Sequence, residues 1–182
     1  MTDEQIIDLC VRGGETRRFA ELVHRYQDRV YGLALRFTGR AEDAEDLAQE
    51  VFLAAYRGLG GFKGDAKFAT WLYRIAWNRA ADWLRRQRKP GRGAAPLDAA
   101  EEVADGSAGP DGVLLESEDR RRLAGAVAGL EERYRAVIEL LYFQGLPYEQ
   151  IAAVLEVPVR TVETRLYRAR RLLRRRLDRR GA

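Results

Sequence analysis

Residues 146–173 read LPYEQIAAVLEVPVRTVETRLYRARRLL and decide the fold of the C-terminal part of the chain. The segment predicts a helix over 148–155, a turn at Glu156-Val157, and a second helix that Pro158 opens, because proline suits the first helical position. This is the spacing of a helix-turn-helix. The second helix has one apolar face, which we expect to pack on a core, formed by Val159, Val162, Leu166, Ala169 and Leu173.

The opposite face of this second helix is basic. Residues 158–182 contain ten arginines against Glu163 and Asp178, a net charge of +8 in a chain whose total is +4. Positive charge concentrated on one helix is typical of a surface that binds the phosphates of duplex DNA, although a solvated basic helix is the alternative. The helix-turn-helix spacing favours DNA binding. The candidate DNA-contacting residues are Arg160, Glu163, Thr164, Tyr167, Arg168, Arg171 and Arg174.

The composition excludes several classes of protein. The chain has 182 residues, 46% of them hydrophobic and 33% charged, which fits a folded protein of one or two domains. Its single cysteine, Cys10, and single histidine, His24, provide neither an internal disulfide nor the four ligands of a structural zinc site, so we expect no metal or cofactor. The sequence has no long apolar run and no signal-peptide pattern, so we expect a cytoplasmic protein without membrane insertion.

A segment rich in proline and glycine divides the chain. Residues 90–113 contain three prolines and five glycines, with five carboxylates against Arg92, and they show no apolar periodicity. This composition predicts a flexible linker. We therefore expect two small all-α domains, a four-helix module over 1–89 and a helix-turn-helix module over 114–182, which the linker would allow to bind separate sites.

The N-terminal module is expected to contain four helices that close one core. A capping box, Thr2-x-x-Gln5, begins a short helix that Gly13-Gly14 ends. The apolar positions then predict helices over 15–37, 41–58 and 67–88.

The segment 62–89 combines aromatic and basic residues and includes all three tryptophans of the chain. If Phe68, Leu72 and Ile75 form the buried stripe, Tyr73 and Trp77 lie on the far side of the helix. Exposed aromatic rings beside cations are typical of proteins that stack unpaired bases, while a place in the core is the alternative. The loop 63–67 and Asn78 are candidates for hydrogen bonds to an extruded base.

By contrast, residues 41–50 are acidic, with five carboxylates and no basic residue. Asp46, Gln49 and Glu50 share one helix face at spacings of three and four. Such a face indicates a metal site, a protein partner with a basic surface, or a merely solvated helix.

Four ordered segments resemble the extracytoplasmic-function (ECF) branch of the sigma-70 family of bacterial transcription initiation factors. They are FAELVHRYQDRVYGLALRFTG (19–39), AEDAEDLAQEVFLAAYRGL (41–59), FKGDAKFATWLYRIAWNRAADWLRR (62–86) and ERYRAVIELLYFQGLPYEQIAAVLEVPVRTVETRLYRARR (132–171). The resemblance covers nearly the whole chain. It implies two helical domains and a factor that is not itself an enzyme.

The resemblance also implies a role for each candidate surface. Asp46, Gln49 and Glu50 match the element that docks on the clamp helices of the polymerase β′ subunit. The second domain would contact the β flap and read the promoter −35 element with the basic face. The family's loop captures a flipped base of the melted −10 element, and it is matched here by Phe62, Lys63, Gly64, Asp65, Lys67 and Asn78, with Tyr73 and Trp77 as candidate stacking residues. An anti-sigma factor is an expected partner.

The chain departs from the family pattern at three positions: Glu131 replaces a usual proline, Arg160 a frequent glycine, and Glu163 a common basic residue. We predict that Glu163 alters base preference in the −35 element, because a carboxylate cannot donate a hydrogen bond to guanine. The main alternative function is a stand-alone helix-turn-helix regulator that binds duplex DNA without polymerase. An enzyme is not expected, since 58–67 lacks the Gly-Lys-Ser/Thr ending of a phosphate-binding loop.

Overall fold

The computed structural model describes residues 1–87 and 122–178, and every regular element in these ranges is helical. The predicted linker, 90–113, lies outside the described residues, as does part of the expected start of the second module.

The N-terminal module contains four α-helices: α1 (Asp3–Val11), α2 (Phe19–Thr38), α3 (Ala41–Gly58) and α4 (Phe68–Gln87). The predicted capping box is present, since Thr2 Oγ1 accepts from the Gln5 backbone and Gln5 Oε1 accepts from the Thr2 backbone at 2.8 Å. Gly39 ends α2 in the left-handed conformation, with φ of 70°. The four predicted helices are therefore confirmed, with α2 beginning later than expected, after a 3₁₀ turn at Thr16–Arg18.

The core of this module lies between α2, α3 and α4. Leu22, Val30 and Leu33 on α2 are buried together with Val51 on α3 and Leu72 on α4. The buried positions of α2 recur every three or four residues, so this helix turns one stripe toward the other two: Phe19, Leu22, Tyr26, Val30, Leu33 and Phe37.

The second module contains α5 (122–128), α6 (Glu132–Ile138), a π-helical turn (Glu139–Phe143), α7 (Tyr148–Leu155) and α8 (Val159–Asp178). The turn between α7 and α8 places Glu156 in the left-handed conformation with φ of 53°. The first helix of the predicted helix-turn-helix has the expected bounds, and the second begins at Val159, immediately after Pro158.

The two modules are docked against each other in this structure, although the linker composition predicted modules free to separate. Helix α7 packs on α4. Arg36 of α2 forms an ion pair with Glu139 of the π-helical turn, and Thr70 Oγ1 donates to Gln150 Oε1 at 3.3 Å. The buried apolar residues of both modules consequently form one continuous core.

Candidate nucleic-acid interface

Helix α8 carries the predicted duplex-binding surface. Its inner face is buried at Val162, Leu166 and Ala169, which pack toward α6 and α7. All seven predicted contact residues are exposed on the remaining surface: Arg160, Glu163, Thr164, Tyr167, Arg168, Arg171 and Arg174. From the first to the last they span about 21 Å, at 1.5 Å per residue. The face that the sequence predicted is therefore open and continuous.

The arginines of this face are available for a ligand. In the described part of the chain, no carboxylate forms an ion pair with Arg160, Arg168, Arg171 or Arg174. Tyr167 is 67% exposed, and Thr164 Oγ1 donates to the backbone oxygen of Arg160 at 2.9 Å.

A concavity of about 540 Å³ lies beside the N-terminal half of α8. Its lining joins Arg160, Thr164 and Arg168 of α8 to Arg133 and Tyr134 of α6. Sequence reasoning missed Arg133, because its proximity to the recognition face depends on how α6 crosses α8.

The loop between α3 and α4 forms a second concavity, of about 300 Å³. Its lining contains Phe62, Lys63, Gly64 and Asp65, four of the residues assigned to base capture, together with Thr70, Trp71 and Arg74 of α4. Gly64 has φ of 77°, a conformation that side chains with a Cβ rarely adopt. Lys67 and Asn78 are exposed but do not line this concavity.

The concavity has an aromatic wall. Phe62 is half-buried and packs against Trp71, with ring centroids 5.3 Å apart, and against Phe68 at 6.0 Å. Trp71 is itself only partly buried. Trp71 and Arg74 are the additions that the sequence did not identify, since they become neighbours of the loop only when it folds back over the first turns of α4.

The prediction that Tyr73 and Trp77 form an exposed aromatic face on α4 is wrong. Tyr73 is fully buried and Trp77 is 8% exposed, with its ring edge-on to Phe37 at a centroid distance of 5.2 Å. Burial raises the pKa of the Tyr73 phenol, an effect that nearby Arg29 partly opposes, and the hydroxyl has no hydrogen bond of good geometry. Helix α4 is covered by the N-terminal core on one side and by α7 on another, so its buried surface is wider than one stripe.

Helix α3 presents its acidic residues to solvent. Asp46, Gln49 and Glu50 are exposed, and the Glu50 carboxylate lies 3.9 Å from Arg86 of α4. Among the described residues, no three His, Cys, Asp or Glu side chains cluster as metal ligands would.

An apolar groove of about 810 Å³ runs beside these acidic residues, between α2 and α3. Leu53 and Tyr56 in its lining are 52% and 44% exposed, large fractions for such side chains. Asp28, Glu45 and Gln49 lie among the other lining residues. An apolar centre with acidic groups around it is suited to a protein partner with a basic surface.

In the described part of the chain, no helix combines the length and hydropathy needed to cross a membrane.

These features define a class: an all-α protein in which a four-helix module is joined to a helix-turn-helix module with an open basic face. The sequence matches the family model of Sigma-70 region 2 over residues 22–89 and that of Sigma-70, region 4 over residues 120–173.

Curated relatives match almost the full length. The RNA polymerase sigma-H factor of Pseudomonas aeruginosa is 39% identical, covering 92% of this chain and 90% of its own. The ECF RNA polymerase sigma-E factor of Escherichia coli K12 is 38% identical, covering 93% of this chain and 91% of its own. The chain therefore belongs to the extracytoplasmic-function sigma factors, the family that its sequence motifs resemble, and it is an alternative sigma factor.

A solved structure of CnrH in complex with the cytosolic domain of CnrY is also similar. It matches with a TM-score of 0.71 and 28% identity, covering 95% of this chain and 96% of that chain. This agreement extends over both modules.

Proposed function

We propose that this sigma factor binds core RNA polymerase, reads the −35 element as duplex DNA with α8, and captures one base of the melted −10 element beside the α3–α4 loop. The observation that carries the proposal is the open face of α8, whose arginines have no carboxylate partner among the described residues.

On the −35 side, the length and charge of the α8 face support binding in a major groove. Arginine can bond two acceptors of guanine or neutralise a phosphate, and Arg168, Arg171 and Arg174 are spaced for such contacts along one helix edge. Glu163 can only accept, as from the amino group of cytosine. Arg133 lines the concavity beside this face and also pairs with Glu131 at 2.8 Å.

On the −10 side, the concavity at the α3–α4 loop has the parts that a flipped base needs. Trp71 offers an aromatic surface, Thr70 and the loop backbone offer hydrogen-bonding groups, and Lys63 and Arg74 offer positive charge for the strand. Strand opening would then be driven by trapping the extruded base, which offsets an unstacking cost of a few kcal/mol. No chemical reaction is required of the chain, so we infer that it is not an enzyme.

For polymerase, the exposed face of Asp46, Gln49 and Glu50 with the adjacent apolar groove provides the contact with the β′ clamp helices. The acidic residues supply the long-range attraction and the groove supplies buried area. CnrH is bound by the cytosolic domain of CnrY in a structure that this chain resembles. This likeness supports an anti-sigma factor as a second partner, one that masks the polymerase-binding surface.

The deciding experiment is run-off transcription on fragmented genomic DNA of the source organism, with sigma-free core polymerase and sequencing of RNA 5′ ends. We expect starts that appear only when the protein is added, preceded by a shared pair of upstream elements. The matched variant Arg168→Glu/Arg171→Glu should still bind core polymerase but should lose these starts.

If no such starts appear while the protein binds duplex fragments without polymerase, the stand-alone regulator becomes the correct function. If the Arg168→Glu/Arg171→Glu variant initiates at the same sites as the unmodified protein, α8 does not read the −35 element.

A further inference from the structure

We propose that Asp3 of helix α1 is a positioning residue for the concavity at the α3–α4 loop, and that it holds the aromatic wall of this concavity in place through Tyr26 and Phe68. This inference rests on the proposed capture of a base beside that loop. It assigns a role to α1, which precedes the segment 22–89 that matches the Sigma-70 region 2 model.

The Asp3 carboxylate joins α1 to α2 with both of its oxygens. Oδ2 accepts a hydrogen bond from the Tyr26 hydroxyl and Oδ1 accepts one from Arg25 Nη1, while Arg25 Nη2 donates to the backbone oxygen of Met1 at 3.1 Å. The Asp3 side chain is only 16% exposed and Tyr26 is buried. Hydrogen bonds to an ionised group are stronger than those between neutral groups, so this contact fixes the place of the Tyr26 ring.

The Tyr26 phenol is a permanent donor in this contact. Burial raises the pKa of the phenol, and its hydrogen bond to Asp3 and the negative charge of Asp3 raise it further, while the charge of Arg25 opposes them. The phenol therefore stays protonated at physiological pH, and the Asp3 carboxylate remains the acceptor.

Tyr26 connects the Asp3 contact to the concavity through Phe68. The Tyr26 ring lies edge-on to Phe68, with ring centroids 5.6 Å apart. Phe68 is 1% exposed and contacts two rings that line the concavity, Phe62 at 6.0 Å and Trp71 at 5.7 Å. Because protein interiors are close-packed, a shift of one ring is transmitted to its neighbours. A change at Asp3 should therefore reach the aromatic wall.

Helix α1 also supports the loop directly. It packs against the turn Leu59–Gly61, where the connection from α3 to α4 begins. Its inner residues Ile6 and Ile7 are buried in the core. A helix of nine residues is marginal by itself in water, so its position depends on such tertiary contacts. The Asp3 carboxylate secures the first turn of this helix.

The test is strand opening by the holoenzyme, the protein bound to core polymerase, on a promoter mapped by run-off transcription. A fluorophore on the DNA reports the rate of opening. The promoter is used unmodified and in versions in which one non-template base of the −10 element is replaced by an abasic site. The abasic position that slows the unmodified protein identifies the captured base, and that template shows whether a variant acts through the same base.

Two variants remove the hydrogen bond from opposite sides. Asp3→Asn removes the charged acceptor, and Tyr26→Phe removes the hydroxyl but keeps the ring that contacts Phe68. Each should slow opening of the normal promoter by about three- to tenfold, because only part of the free energy of a charged hydrogen bond reaches the concavity. Affinity for the closed promoter should not change. On the template that lacks the captured base, both variants should open as slowly as the unmodified protein.

Glu4→Gln is the matched control, since Glu4 is exposed in the same first turn of α1 and loses the same charge. It should open both templates at the rates of the unmodified protein. The double variant Asp3→Asn/Tyr26→Phe should be no slower than Asp3→Asn alone, because both changes break one hydrogen bond.

Normal opening rates in both Asp3→Asn and Tyr26→Phe would overturn the proposal. Slowing by the same factor on the normal and abasic templates would also overturn it, since the hydrogen bond would then act on the whole fold and not on the concavity. If Asp3→Asn fails to fold, as judged by circular dichroism and binding to core polymerase, Tyr26→Phe decides between these outcomes. A distinct result, in which no abasic −10 template slows the unmodified protein, would contradict base capture itself and this inference with it.

Discussion

The two candidate DNA surfaces of this sigma factor are built in different ways. The −35 surface lies on one helix, α8, and its arginines have no carboxylate partners among the described residues. The −10 surface joins a loop to α4, and its Arg74 pairs with Glu156 of the other module. One surface is ready for DNA in the docked chain, whereas the other is engaged internally.

This difference shows what a helical repeat does and does not determine. Within α8 the repeat decides which residues share a face, and only one side of α8 packs on other helices. Helix α4 is packed on more than one side, so residues opposite its first buried stripe are buried as well. An aromatic residue on each helix can test this contrast.

The largest effect is expected from Trp77→Ala compared with Tyr167→Ala. Trp77 is 8% exposed and contacts Phe37, so its truncation should lower the free energy of unfolding by about 3–5 kcal/mol. Tyr167 is 67% exposed, so its truncation should change stability by less than about 0.5 kcal/mol. Urea unfolding followed by circular dichroism measures both values.

The binding data should show the opposite order. Tyr167→Ala is expected to weaken −35 duplex binding at unchanged stability. If Trp77→Ala lost as little stability as Tyr167→Ala, less than about 0.5 kcal/mol, Trp77 would not be a structural residue of the core.

A smaller effect is expected from Arg171→Ala. Loss of one arginine contact on the α8 face should weaken −35 duplex binding by about 1–3 kcal/mol if the arginine reads a base. If it contacts a phosphate instead, binding should weaken uniformly across sequences, and the slope of log affinity against log salt should fall by about one. Fluorescence anisotropy over a salt series separates the two outcomes.

Arg57→Ala is the matched control, because Arg57 is an exposed arginine on α3, outside the −35 surface. It should alter neither the affinity nor the salt slope. Equal effects of the two variants would show that net charge, rather than the α8 face, controls duplex binding.

Most of the fold follows from the sequence because its signals are local. The capping box at Thr2, the glycine stop at Gly39 and the break before Pro158 each act within a few residues, and the structure places helix ends close to them. Module docking does not follow in this way. Docking depends on the ion pair between Arg36 and Glu139, which lie 103 positions apart in the sequence. The residues next to each of them in the sequence do not indicate that it lies at an interface.

The two candidate sites differ in the same way: one depends on local sequence and the other on tertiary packing. The α8 face was predictable residue by residue, since exposure there depends only on the helical repeat. On the −10 side, the sequence identified the loop from Phe62 to Asp65 but missed Trp71 and Arg74, which reach the loop through tertiary packing. Tyr73 was misplaced for the same reason.

Glu163→Lys is expected to change which −35 sequence is preferred. A lysine can donate to guanine where a glutamate can only accept, so the preferred base at one position should change, with a discrimination of about 1–3 kcal/mol for a well-placed contact. The measurement is selection of bound duplexes from a randomised −35 library, scored by rank order and not by total affinity.

Asp178→Lys makes the same change of charge at the other end of α8, about 22 Å along the helix axis at 1.5 Å per residue. It should raise affinity for all sequences without changing their order. An unchanged preference in Glu163→Lys would contradict the assignment of Glu163 to a base contact.

The smallest effect is expected from Asp82→Asn, at the basic end of α4. The hydrogen bond from Arg85 lowers the pKa of the Asp82 carboxyl, with further lowering by the charges of Arg79 and Arg86. Because the folded pKa lies below the unfolded value of about 3.9, the pair stabilises the fold above that pH and loses its effect as the pH falls through the folded pKa. The pair is exposed, so solvent screening keeps its contribution to stability small.

Urea unfolding at pH 7 should therefore show at most a slight destabilisation of Asp82→Asn, and the difference from the unmodified protein should shrink as the pH falls below about 3.9. A large loss at pH 7 would mean that exposed pairs of the first module hold its structure, which the packing does not indicate. Removing this carboxylate also leaves the Arg85 guanidinium without its Asp82 partner. The end of α4 would then resemble the α8 face, whose arginines have no carboxylate partner among the described residues. A measurable gain in single-strand affinity would then show that internal pairing is what keeps the arginines of the first module from DNA.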